Sequence, residues 1–203
     1  MGRVELEKEY TEAQGELINE FELNVSIAFF VANFLEDCSG FYEKYLLKCL
    51  GDIDIHVAKW AEDEHAWRRR TIDSKHPPKI KFPGLPKYAQ SKKDQSYCIF
   101  QDNATKLVIK ELTSFVGIPY ADYFSVLLVW EVDQPAQSIP SCQIKIYLDV
   151  IWHKNTWLKS QVRANTRSEL EEAGRAWARF ASDWAACQPD GGGGGGGSGR
   201  AGR

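Results

Sequence analysis

Six stretches that follow one another along the chain, DIDIHVAKW, AWRRRTID, YAQSKKDQSYCIF, TKLVIKELTSF, YFSVLLVWEV and CQIKIYLDVIW, place apolar side chains at alternate residues. Alternation with a period of two marks a strand with one apolar face. Turn-rich joints such as QDNAT and DQPAQSIPS separate the stretches, and successive strands with short joints pair as an antiparallel meander. The strongest of them sets Phe124, Val126, Leu128, Trp130 and Val132 on one face, so something large must lie against it.

The flanking segments supply the cover. EFELNVS alternates and predicts a first strand, after which residues 27–37 and 41–50 carry apolar side chains at helical spacing. CSG divides these two, its Ser and Gly suiting a break and a fresh cap. Beyond the last strand, Leu158, Val162, Leu170, Ala173, Trp177, Phe180, Ala181 and Trp184 recur mostly in steps of three or four, one stripe of a helix over residues 157–187. Asn165 and Thr166 interrupt the stripe, and Gly174 weakens the helix by about 1 kcal/mol, which suits a bend. The predicted fold is α+β: an antiparallel sheet of about seven strands curled around a long C-terminal helix, with two short helices after strand one. Where sheet and helix side chains do not meet, a concave apolar pocket remains.

A chain of 203 residues, 43% hydrophobic, suits one domain, placed at residues 19–187 between a charged leader (1–18) and a disordered Gly-rich tail (188–203). The net charge of −3 argues against a general affinity for nucleic acid. It conceals a local patch: from Arg68 to Lys93 nine Lys or Arg stand against one acid, Asp73, a balance of +8. Five cysteines, an odd number without any C-x-x-C, favour a reducing, cytoplasmic setting. MGRVELEKEY is no signal peptide and IAFFVANFL is too short to span a bilayer, so a soluble chain is expected. His56 and His65 flank VAKWAEDE, but their spacing with Asp63 or Glu64 matches no metal-ligand pattern, and neither a nucleophile elbow nor a phosphate-cradling loop occurs. No catalytic residue, metal or cofactor is expected.

GIPYADYF resembles the aliphatic, Pro-Tyr, x, Asp-Tyr-Phe signature of VASt domains, the sterol-binding modules of GRAM-domain proteins. Further likenesses follow in order: IHVAKW, KHPPKIKF, KDQSY and IWHKNTW, so that the resemblance covers roughly residues 20–186. It implies the helix-grip, START-like fold and non-vesicular sterol transfer. Members usually also carry a GRAM domain and a membrane anchor that place them at endoplasmic reticulum contact sites. Neither is present here, which leaves both a piece of a longer anchored chain and a free shuttle open.

A matching site needs many apolar contacts and one or two polar groups. The inward candidates are Leu107, Ile109, Thr113 and Phe115, then Phe124, Val126, Leu128 and Trp130, then Ile144, Ile146, Leu148, Val150 and Trp152, with Trp177 from the helix. Gln95 is the first candidate for the polar end and Glu111 the second. In the loop SKHPPKIKFPGLPKY, Pro77, Pro78, Pro83, Pro86 and Gly84 forbid a regular ladder, yet Ile80, Phe82 and Leu85 are apolar, as suits a lid or membrane-contacting element. Lys79, Lys81 and Lys87 are candidates for holding an anionic leaflet, at about 1 kcal/mol per well-placed base. The expected partners are a sterol or similar lipid and, transiently, a membrane surface, with the protein a monomer and nucleic acid no partner. A sensor that binds without transfer and an enzyme acting on a cavity-bound apolar substrate are the alternative readings.

Overall fold

Every alternating segment forms a strand in the computed structural model, which describes residues 15–62, 67–77, 86–100, 105–117, 119–135 and 140–188. The strands are β1 (Glu16–Leu23), β2 (Ile53–Val57), β3 (Ala61–Glu62), β4 (Arg68–His76), β5 (Ala89–Phe100), β6 (Lys106–Val116), β7 (Phe124–Asp133) and β8 (Cys142–Trp152). They make one antiparallel sheet in the order β1-β8-β7-β6-β5-β4-β2, with the two-residue β3 attached to β4. Two details depart from expectation. The sheet has an eighth strand, because the segment after β2 turns back to pair Ala61 and Glu62 with Arg69 and Arg68. β1 also begins inside the residues assigned to the leader, because Glu16 and Leu17 pair with Leu148 and Tyr147. The remainder of that leader, the tail from residue 189 onward, and residues 63–66 with His65 lie outside the described residues.

Between β1 and β2 run α1 (Ile27–Phe30) and α2 (Phe41–Tyr45), each continued by wider π-helical turns, Val31–Leu35 and Leu46–Leu50. Ser26 caps α1 through its hydroxyl, which accepts from Phe29 N at 3.1 Å. Gly40 and Gly51, both at positive φ, begin α2 and end its π-helical continuation. The terminal helix, α3 (Lys159–Ala186), is continuous through Asn165, Thr166 and Gly174.

Gly174 lies within this unbroken helix and lets it approach the sheet closely. A Cβ there would fall 2.3 Å from Asn19 Oδ1 on β1. Asn19 is buried and its Nδ2 donates to Glu171 O at 3.1 Å, so the side chain has little room to yield. Gly174→Ala is expected to destabilise the fold by about 1–3 kcal/mol, through overpacking that outweighs the better helix propensity of alanine. Urea unfolding of the two proteins checks it; equal midpoints would contradict the close approach.

The far half of the interior is filled by aromatic rings centred on Trp177. Its ring centre lies 5.1 Å from Trp130, 5.4 Å from Phe34 and 5.6 Å from both Phe30 and Phe41. Such pairs add to the burial of large apolar area. The two short helices thus serve as a plug, since they deliver Phe30, Phe34 and Phe41 into the same cluster.

Candidate ligand cavity

The other half of the interior is open. A cavity of about 590 Å³ lies between β4–β7 and the terminal helix. Part of its cause is legible residue by residue: several inward side chains here are short, namely Ser74 on β4, Ala89 and Ser91 on β5, Thr113 on β6 and Val126 on β7, facing Ala173 and Ala176 on the helix. The helix leans toward β1, as the Asn19–Gly174 contact shows, so on the β4–β7 side it stands away from the sheet. Leu46 and Leu50 from the π-helical turn after α2 and Ile72 from β4 complete the wall, while Leu158, Val162 and Leu170 roof it.

The structure divides the candidates. Thr113, Phe115, Phe124, Val126 and Leu128 line this cavity. Gln95, Ile109, Trp130, Ile146 and Trp177 instead surround a separate pocket of about 60 Å³ beyond it, which Leu128 also borders. Leu107, Leu148 and Val150 are buried away from both. Leu107 sits opposite Val132, at the far end of the sheet from the cavity, and Leu148 and Val150 belong to the strand between β1 and β7, toward which the helix leans. Ile144 is likewise buried and Trp152 half-buried. In the proline loop, Pro77 is half-buried, and Pro86 and Lys87 are exposed. Pro78, Lys79, Ile80, Lys81, Phe82 and Leu85 lie outside the described residues.

Two hydrogen-bonded clusters of polar side chains border the cavity, which Gln161, Asn165, Thr166 and Glu172 also line. At its inner end Lys93 borders both spaces. Lys93 Nζ donates to Tyr42 Oη at 2.7 Å and lies 3.1 Å from Glu111 Oε2. Tyr42 Oη donates to Glu111 Oε1 at 2.8 Å, Gln95 Nε2 donates to the same oxygen at 2.6 Å, and Arg70 Nε donates to Gln95 Oε1 at 2.7 Å. Both ends of the Gln95 amide are therefore engaged, and the guanidinium of Arg70 lies 4.1 Å over the Trp60 ring. Burial, reinforced by Glu111, holds the Tyr42 hydroxyl well above the ordinary tyrosine range, so it stays a donor. Gln95 and Glu111, which an exposed strand face would have left in water, are 2% and 3% exposed. They form a closed network one layer behind the cavity wall.

Sequence reading did not assign the second group. Ser74 Oγ donates to Asp52 Oδ2 at 2.6 Å. His76 reaches Asp52 Oδ1 from Nδ1 at 2.6 Å and Glu169 Oε1 from Nε2 at 3.0 Å. Burial alone would lower the histidine pKa, but the hydrogen bonds and charges of the two carboxylates outweigh it and raise it from 6.5 to about 9. His76 is therefore an imidazolium at neutral pH, donating from both nitrogens, and it ties the end of β4 and the α2–β2 turn to the terminal helix across the cavity. The alternation Ile72, Ser74, His76 carried a signal that this face turns polar at its end. Asp52 and Glu169 come from remote segments, which no local pattern connects. Among the described residues, no group of three or more His, Cys, Asp or Glu side chains is placed to hold a metal ion, and no helix is long and apolar enough to cross a membrane.

Known proteins can now be set beside this geometry. The chain is 28% identical over 156 residues to Protein VASCULAR ASSOCIATED DEATH 1, chloroplastic, of Arabidopsis thaliana, covering 76% of this chain and 25% of that protein. It thus spans about a quarter of the length of that relative. Norcoclaurine synthase from Thalictrum flavum superposes with a TM-score of 0.47 at 14% identity, over 82% of this chain and 86% of that one. TTHA0849 from Thermus thermophilus gives a TM-score of 0.46 at 11% identity, over 84% and 97%. The family described as VAD1 Analog of StAR-related lipid transfer domain, VASt, matches residues 17–169, strand β1 through the first turns of α3, and the chain belongs to that family.

Proposed function

We propose that the chain holds one sterol in the cavity between sheet and terminal helix and exchanges it with membranes. Family membership makes it a lipid- or hydrophobic-ligand-binding module, and the observation that supports the finer reading is the 590 Å³ space with its largely aliphatic and aromatic walls. That size falls within the range of pockets that enclose a small, rigid apolar molecule. A sterol also carries one hydroxyl, which needs a partner when buried. Lys93 and Thr113 face each other across β5 and β6, with Ser91 two residues away on the same wall. We assign the hydroxyl to this patch, with Gln95 and Glu111 fixing the lysine from behind. Phe124, Val126 and Leu128 contact the sterol body, and Lys79, Lys81 and Lys87 meet an anionic leaflet. No cofactor is invoked, and the reading places the chain in the cytoplasm as a monomer.

Titration with a fluorescent sterol, followed by transfer between donor and acceptor liposomes with and without anionic lipid, tests the proposal. Saturable one-to-one binding with transfer that anionic lipid accelerates is the expected result. Binding without transfer would make the module a sensor, and chemical turnover of the ligand would make it an enzyme. Failure to bind any sterol ends the reading.

A further inference from the structure

The β6–β7 connection and the β8–α3 connection lie at the same end of the sheet, where the cavity wall runs out to exposed Pro119, Tyr120 and Gln161. The two are fastened together. His153 N and Lys154 N both donate to Tyr123 O, at 2.8 and 3.3 Å. The Lys154 ammonium pairs with Asp122 and lies 5.3 Å from the Tyr123 ring centre. Tyr120 meets Tyr123 edge to face with centroids 5.2 Å apart.

Three residues beyond Lys154 comes Trp157, 86% exposed, beside Leu158 of the cavity roof. Six large apolar side chains are exposed among the described residues, and three of them, Trp157, Val116 at 59% and Tyr120 at 42%, are at this end of the sheet. Lysines frame them: Lys154, Lys87 and Lys159, whose ammonium lies 5.4 Å over the Trp152 ring. Across residues 86–89, 116–117, 119–124 and 152–159 these three lysines face a single carboxylate, Asp122. Tryptophan and tyrosine settle at the headgroup level of a bilayer, and lysine stems let their ammonium groups reach the phosphates.

We propose that the rim made by Trp157, Tyr120 and Val116 is a bilayer-docking edge that seats the mouth of the cavity on an anionic membrane surface. The apolar side chains enter the headgroup region while Lys87, Lys154 and Lys159 meet anionic lipid. A ligand can then pass between the cavity and the bilayer without crossing open water. The proposal rests on the cavity being an exchangeable-lipid site, and of the lysines assigned above to the anionic leaflet it uses only Lys87.

Flotation of the full chain with phosphatidylcholine vesicles, with or without phosphatidylserine, tests it. The wild type is expected to float with the anionic vesicles, Trp157→Ala to bind them about tenfold more weakly, and Trp157→Phe to keep most of the affinity. Sterol affinity measured without vesicles is expected to be the same in all three, because Trp157 lies outside the cavity. Vesicle binding unchanged in Trp157→Ala overturns the proposal. So does light scattering that shows the wild type self-associating through Trp157 with no vesicle binding, which would make the rim a contact between two copies. Loss of sterol binding by the wild type would instead strike the sterol reading, since vesicle binding is scored separately.

Discussion

Ala176→Trp is expected to weaken sterol binding by a hundredfold or more, about 3 kcal/mol, while the protein stays folded. Ala176 faces the cavity from the terminal helix, opposite the short side chains of β4–β6. An indole at this position projects into space that no side chain occupies, so the usual overpacking penalty of about 1–3 kcal/mol is largely avoided. The ligand loses that volume outright. Ala164→Trp, on an exposed position of the same helix, is the control and is expected to bind as the wild type. The measurement is a fluorescent-sterol titration of the three proteins beside their urea midpoints. Undiminished affinity in Ala176→Trp would show that the ligand lies elsewhere.

His76 carries the second large effect, read as stability against pH. Its pKa is raised on folding, from 6.5 to about 9, so the folded state holds a proton that the unfolded chain has released in between. The stabilisation is complete below pH 6.5 and is lost as pH rises through about 9. The difference corresponds to about 3 kcal/mol, an upper figure, since the ring keeps 18% of its surface in water. His76→Gln is expected to lose most of this at neutral pH, because it leaves Asp52, 3% exposed, beside a neutral partner. Its stability should then fall less steeply between pH 6.5 and 9 than that of the wild type. The difference between the two curves is the quantity to read, since it isolates the histidine. Parallel curves would contradict the imidazolium bridge. Because the bridge joins β4 to the terminal helix over the cavity, faster ligand release from His76→Gln is expected in the same buffer.

Much of the fold was readable because strands and helices write their periods locally. The alternation from Phe124 to Val132 became β7, and each of its inward members is buried. The helical stripe became α3, with Trp177 and Ala181 at its buried centre. Thr113, Phe115, Phe124, Val126 and Leu128 reached the cavity wall because the inward face of β6 and β7 passes beneath it. The same reasoning could not separate wall from filling. Trp130 and Ile146 share that face and the same alternation, yet the aromatic plug from α1 and α2 occupies the space above them. Gln95 and Glu111 were recognised as polar on an inward face, while the partners that hold them, Arg70, Tyr42 and Lys93, come from three different elements.

What the amino-acid order determined by itself is the set of elements, their sequence along the chain and the side of each that turns from water, since these depend on neighbours two to four residues apart. Only the tertiary structure decided that β1 closes the sheet against β8, that Gly174 lets the helix lean toward that side, and that Asp52, His76 and Glu169 meet across the resulting gap. Those outcomes turn on contacts between residues far apart in the chain. Where a helix settles on a sheet is set by the sum of side-chain volumes over the whole interface, and the cavity is the part of that interface where the volumes fall short.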